Sequence, residues 1–206
     1  MFMLFEDTYL TITEPSESVF RDRSSRFIGL AVPVGNEAEM KQELEQIRKK
    51  YFDATHHCYA FRLSFDKSVY RFSDDGEPSG TAGRPIFGQI QAKDLTNILV
   101  VVVRYYGGTK LGVSGLINAY KTAAKEALEH NRIVERTVND VYEVLFTYEQ
   151  MNDVMRVLKD DDIKQLSQNF DLKCRIEFSI RKLHAGKVYE KLTHIRGVTV
   201  SFLRTA

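Results

Sequence analysis

Cysteine is almost missing from this sequence. Cys58 and Cys174 are the only two, far apart and without metal-ligand spacing, each within an alternating apolar run. That leaves no disulfide framework and no cysteine-held metal site; two buried thiols in a reducing compartment are expected. Excess charge is missing too. The 29 basic and 28 acidic side chains give a net charge of +1. Residues 1–138 hold 18 of each sign and residues 139–206 hold 11 basic and 10 acidic, so neither half is electrostatically biased. Bulk charge therefore gives no case for nucleic acid or membrane, and any basic surface has to be a local patch. No apolar run approaches the ~20 residues of a membrane-crossing helix. The N-terminal MFMLFEDTYL has neither the basic region nor the cleavage site of a signal peptide. Together these absences place the expected location in the cytoplasm, away from membranes. No low-complexity segment and no strong internal repeat is present.

The 206 residues that remain are ordinary globular material, 43% hydrophobic and 28% charged. FIGLAVPV (27–34) reads as a strand broken by Gly35-Asn36. Apolar residues at 40, 44, 47 and 51 then mark a helix from Glu37 to Tyr51. HHCYAFRLSF (56–65) alternates as a strand, and a second strand over 68–72 follows the Asp66-Lys67 turn. Pro85 suits the first turn of a short helix running to Lys93. ILVVVVRYY (98–106) is a continuous β-branched run, the mark of a buried central strand. Ser114 is placed to cap a helix with apolar positions 116, 117, 120, 123, 124, 127 and 128. A strand over 132–138 closes the pattern. Beyond it, strands at 141–148, 163–170, 172–180 and 198–203 and helices at 149–159 and 185–194 give the order βαββαβ, the ferredoxin-like split βαβ pattern. The expected class is α+β, with domains at 1–138 and 139–206.

Eight of the twelve glycines lie between positions 76 and 115, seven of them in two polar stretches, RFSDDGEPSGTAGRPI (71–86) and RYYGGTKLGVSG (104–115). Such density means backbone that turns sharply or approaches something closely. The second stretch runs from a buried strand to a helix N-terminus, where free N–H groups and the helix dipole favour an anion. Arg104 and Lys110 flank it. The known phosphate signatures are not met: Gly107, Gly112 and Ser114 fit the P-loop frame, but Val113 stands where its lysine belongs, and there is no GxGxxG. Two readings stay open, tight turns at a sheet edge or an anion site.

Asp74, Asp75 and Glu77 offer oxygen ligands to a divalent cation, but not at EF-hand spacing, and a solvated turn paired with Arg71 or Arg84 is the simpler expectation. No metal and no cofactor are expected. His56 and His57 point to opposite faces of their strand and cannot chelate together. Alternation puts His57 with Tyr59, Phe61 and Leu63, and His56 with Cys58, Ala60 and Arg62, so structural histidines are expected. Ser73, Ser79 and Ser114 lack a GxSxG elbow. Nothing assembles a nucleophile with its base, and no catalytic residue is assigned.

Read together, SDDGEPSGTAGRPI and VVVRYYGGTKLGVSGLINAY resemble the signature of the YigZ/IMPACT family (UPF0029), and SRFIGLAVPV and ATHHCYAFRL are similar to it as well. The likeness spans residues 18–130; Tyr106 stands where the family pattern has Phe. It implies a first domain similar to the second domain of a small-subunit ribosomal protein. It also implies a tail similar to the ferredoxin-like domains of elongation factor G. Eukaryotic members carry an N-terminal RWD partner-binding module, for which this sequence has no room. They restrain a starvation kinase that phosphorylates an initiation factor, an activity that leans on that module. For this chain the resemblance implies translation-linked regulation through a cleft, with RNA or the ribosome as leading partner and a protein partner as another. The candidate ligand residues are Asp74, Asp75, Gly76, Glu77, Ser79, Gly80, Thr81, Gly83, Arg84, Arg104, Gly107, Gly108, Thr109, Lys110 and Ser114. A non-catalytic regulator is the leading reading. An enzyme acting on a small phosphorylated or nucleotide ligand, with Asp74, Asp75 or Glu77 as acid–base groups, is the rival. A structural partner-binding protein is the third. Arg104 is expected to emerge at the strand mouth as an anion ligand, or else to pair with one of those carboxylates.

Overall fold

The computed structural model describes residues 7–159 and 163–205, and these divide into two compact units. Among them the fold is mixed α and β, with five α-helices and three sheets.

The unit Tyr9–Arg136 contains β2 (Ser16–Asp22), β3 (Ser25–Pro33), α1 (Glu37–Lys50), β4 (His56–Leu63), β5 (Val69–Ser73), α2 (Gly83–Ala92), β6 (Ile98–Tyr105) and α3 (Gly112–Glu129). Its five strands form one sheet in the order β2-β3-β6-β4-β5, antiparallel throughout. β6 is central, and every residue from Ile98 to Arg104 is buried. The reason is that both faces of the sheet are covered. Leu99, Val101 and Val103 pack with Met40, Leu44 and Ile47 of α1. Ile98, Val100 and Val102 pack with Ile86 and Ile90 of α2 and with Ala119, Tyr120 and Ala123 of α3. Small residues bring α3 close: a Cβ on Gly29 would sit 2.3 Å from the Ala123 carbonyl oxygen. Two further strands, β1 (Thr8–Ile12) and β7 (Ile133–Thr137), pair with each other.

The sequence pattern missed β1 and β2. β2 presents Ser16 and Ser18 inward, where hydrophobic alternation would show apolar residues. Their hydroxyls donate to the Ala127 and Ala123 carbonyls of α3, at 2.7 and 2.8 Å. On α3, Ile117 is exposed and Ala119 takes the buried position.

The second unit joins Asp7 and Thr8 to residues 137–205. Its elements are β8 (Asn139–Phe146), α4 (Met151–Leu158), β9 (Ile163–Phe170), β10 (Cys174–Arg181), α5 (Lys182–Thr193) and β11 (Thr199–Thr205). The four strands pair antiparallel in the order β11-β8-β10-β9. Val144, Phe146, Ile176, Phe178 and Ile180 face Val154, Leu158, Val188 and Leu192 of the two helices. Arg181 holds the Asp7 carboxylate with two bonds, at 2.6 and 2.9 Å.

Candidate functional site

The two glycine-rich stretches do meet, in a cavity of about 480 Å³ within the first unit. Strand register builds its floor. Arg104 of β6 lies directly opposite Phe27 of β3 on one side and His56 of β4 on the other, all on the α2/α3 face. The guanidinium carbon sits 5.4 Å from the Phe27 ring and 5.2 Å from the Tyr106 ring, clamped between aromatics. Its Nη1 donates to Glu77 Oε1 at 2.5 Å. Tyr120 of α3 donates to the same oxygen at 2.8 Å, and His56 Nε2 lies 3.8 Å away. Arg104 and Glu77 are nearly sealed, with side chains 6% and 4% exposed. Arg104 Nε is buried without a hydrogen-bond partner among the described residues.

Arg104 therefore does not emerge as a free cation. It pairs with Glu77 and ties the second stretch to the first, because strand alternation turns it toward α3 and not toward solvent. Asp74 is spoken for as well. Its Oδ1 accepts from the amides of Ala82 and Gly83 at 3.0 and 2.8 Å, and its Oδ2 accepts from Gly80 at 2.8 Å. It thereby caps α2, whose own N-cap, Ala82, has no side chain for the task. Asp75 takes the His57 amide at 2.6 Å and Arg48 at 3.3 Å. With these engagements the acidic turn is a structural buckle. Among the described residues no group of three or more His, Cys, Asp or Glu is placed to hold a metal.

Ser114 does not cap α3. The helix begins at Gly112, with a φ of +76°, and its N-cap is Leu111, which offers no side-chain bond. A left-handed residue is required there, so glycine starts the helix two positions before the expected serine. Among the described residues no side chain caps the first turn of α3. Gly112 and Val113 line the cavity, as does the exposed Lys110.

The remaining candidates hold the backbone in shape. Gly107 lies against Ser24, where a Cβ would be 2.1 Å from the carbonyl carbon, and its amide donates to the Ser25 hydroxyl. Gly83 abuts the Ser73 backbone in the same way. The Thr81 hydroxyl donates to the Pro78 carbonyl. Gly76 is a left-handed turn residue, and Ser79, Arg84, Gly108 and Thr109 are exposed, none of them lining the cavity. Of the fifteen sequence candidates, Glu77, Arg104 and Lys110 line it.

Thr55, Tyr106 and Leu116 also line the cavity, and so does His56, expected from the sequence to be a structural histidine. Pairing β4 against β6 by parity was the available signal for His56. Its Nδ1 donates to the Asp75 carbonyl at 2.8 Å, since a carbonyl can only accept, and this orients Nε2 toward Glu77. Cys58 is no nucleophile: burial pushes its thiol well above the ordinary range, and Sγ donates to the Asp74 carbonyl. Burial, with Cys58 and Glu77 adding to it, also drives the Tyr120 hydroxyl far upward, so it stays a donor.

Residues 23–128, which hold this whole cavity, match the model of the Impact N-terminal domain. The chain belongs to the IMPACT family. IMPACT family member YvyE of Bacillus subtilis is 32% identical to it, over 82% of this chain and 80% of that protein. IMPACT family member YigZ of Escherichia coli is 32% identical, over 80% of this chain and 81% of that one. A crystal structure of a hypothetical protein matches with a TM-score of 0.75 at 29% identity, over 97% of this chain and 99% of that one. The likeness to these IMPACT relatives thus runs beyond the Impact N-terminal domain itself. No helix among the described residues is long and apolar enough to cross a membrane.

Proposed function

We propose that this IMPACT-family protein is a non-catalytic, translation-linked regulator that binds RNA or a ribosome-associated surface in the cytoplasm. The cavity takes one phosphate-bearing nucleotide unit. One observation carries the reading: the uncapped N-terminus of α3 opens into a cavity with a charged rim, Lys110, and an exposed aromatic, Tyr106. Amide donors and a lysine suit a phosphate, and a half-exposed ring suits a stacked base. A volume near 480 Å³ is that of a nucleotide-sized pocket. The finer fold assignment belongs to the same reading. Residues 1–138 form a domain similar to the second domain of a small-subunit ribosomal protein, and residues 139–206 a ferredoxin-like domain.

A second reading, an enzyme acting on a small phosphorylated ligand, is favoured by His56 and Glu77 standing together on the cavity floor. Salt separates the two. Polyanion binding releases counterions, so affinity for a short single-stranded RNA should fall steeply between about 50 and about 200 mM salt. Lys110→Glu should weaken RNA binding at least tenfold at low salt, without lowering the melting temperature. Unchanged affinity in that variant removes the cavity from RNA binding. A salt-independent affinity for mononucleotides alone transfers the case to the enzyme.

A further inference from the structure

The cavity is polarised. Its rim offers donors, in the first turn of α3 and in Lys110, while on its floor the Glu77 carboxylate is held by Arg104 and Tyr120. The bonds that Arg104 and Tyr120 donate to the Glu77 carboxylate both fall on Oε1, which fixes the plane of the group. Oε2 has no protein partner among the described residues. His56 is oriented by the Asp75 carbonyl, so in its neutral form the ring carries its lone pair on Nε2, beside Glu77.

We propose that this floor selects ribose: Glu77 Oε2, with His56 Nε2 beside it, accepts hydrogen bonds from the ribose hydroxyls of the bound nucleotide. The inference rests on the binding reading above and names the chemical class of its ligand. Two facts drive it. The ion pair with Glu77 engages Arg104 and leaves the floor no free cation among the described residues, so the phosphate is directed to α3 and Lys110 and the sugar to Glu77. A carboxylate oxygen that a ligand cuts off from water must also be given a donor, or the complex bears its desolvation. A ribonucleotide supplies both groups a few bonds apart. A 2′,3′-dideoxynucleotide supplies only the phosphate, and sites built to bond a hydroxyl reject analogues that lack it. The same contact would distinguish RNA from DNA, since the 2′-hydroxyl is the group that differs.

The test varies the ligand and leaves the full-length protein unchanged. The four ribonucleoside 5′-monophosphates and their 2′-deoxy and 2′,3′-dideoxy forms are titrated by calorimetry. A single-stranded RNA and the DNA of the same sequence form a second arm. At least one ribonucleotide should bind ten times more tightly than its dideoxy form. Discrimination in the first arm alone assigns the site to free nucleotides, and in both arms to RNA. Equal affinity of ribo and dideoxy forms, still weakened by Lys110→Glu, overturns ribose selection and leaves nucleotide binding standing. No binding of any phosphate compound overturns both. Glu77→Gln keeps the shape and, through its amide oxygen, the Tyr120 bond, but sets an NH2 donor where Oε2 accepted, so the ribo-to-dideoxy ratio should fall. If that variant does not fold, the ligand series on the unaltered protein still decides.

Discussion

Replacing Arg104 with methionine isolates the contact that joins the two glycine-rich stretches. Methionine fills much of the space between Phe27 and Tyr106 but gives Glu77 nothing. Glu77 is then a carboxylate with a side chain 4% exposed and the Tyr120 hydroxyl as its remaining close donor. Removing one member of a buried ion pair is destabilising by about 3–5 kcal/mol. The lost stacking on two rings adds about 0.5–2 kcal/mol. For a chain of this size each kcal/mol lowers the melting temperature by roughly 2–4 °C, so a fall of about 7–28 °C is expected. The double variant Arg104→Met with Glu77→Gln removes the stranded charge while keeping an acceptor for Tyr120, so it should recover most of the loss. Chemical denaturation of the original chain, both single variants and the double variant gives the coupling directly. A loss below about 1 kcal/mol for Arg104→Met, within the range of an exposed pair, refutes the argument that this pair holds the cavity floor together. So does a double variant no more stable than the single.

Two further outcomes concern the second unit. Arg181 holds the Asp7 carboxyl below the usual carboxylate range, against an opposing push from burial. Its contribution is therefore present above the unfolded-state value of about 3.9 and is lost as pH falls below it. Asp7→Asn should be less stable than the original chain at neutral pH, and melts at descending pH should show the difference closing; a constant difference assigns the effect to something other than this ionisation. A fragment of residues 139–206, which carries a sheet and two helices but not Asp7, should show a cooperative melt. Disorder in that fragment would mean that the proposed domain needs Asp7 or more of the chain to fold.

How much of this was legible depended on whether the signal was local. The β-branched run of β6, the charged helix α1 with Met40, Leu44 and Ile47 on one stripe, and the order βαββαβ all follow from periodicity, and they stand within a few residues of where the pattern put them. β2 failed that test because Ser18 is buried as a hydrogen-bond donor to α3, which no hydrophobicity pattern records. The site was half legible. Glycine density located both loops, but it could not separate Lys110, which lines the cavity, from Gly107, which answers to Ser24. Nor could spacing show that Asp74 caps a helix that starts nine residues later. The neighbours of Arg104 were hidden for another reason: they are set by antiparallel register, and register joins residues from three distant segments.

His56 is the first residue of β4 and Arg104 the last but one of β6, so the cavity begins where the sheet's hydrogen-bond ladder ends. One wall is anchored to the slowest-exchanging backbone expected in the unit, the middle of β6. The facing wall, at Lys110 and Leu111, belongs to the irregular segment 107–111. Protection from amide exchange should therefore drop sharply across only a few residues there. An occupant would leave β6 almost unchanged and slow exchange in that short segment, which makes deuterium uptake at 107–111 a reporter of occupancy whatever the chemistry of the occupant.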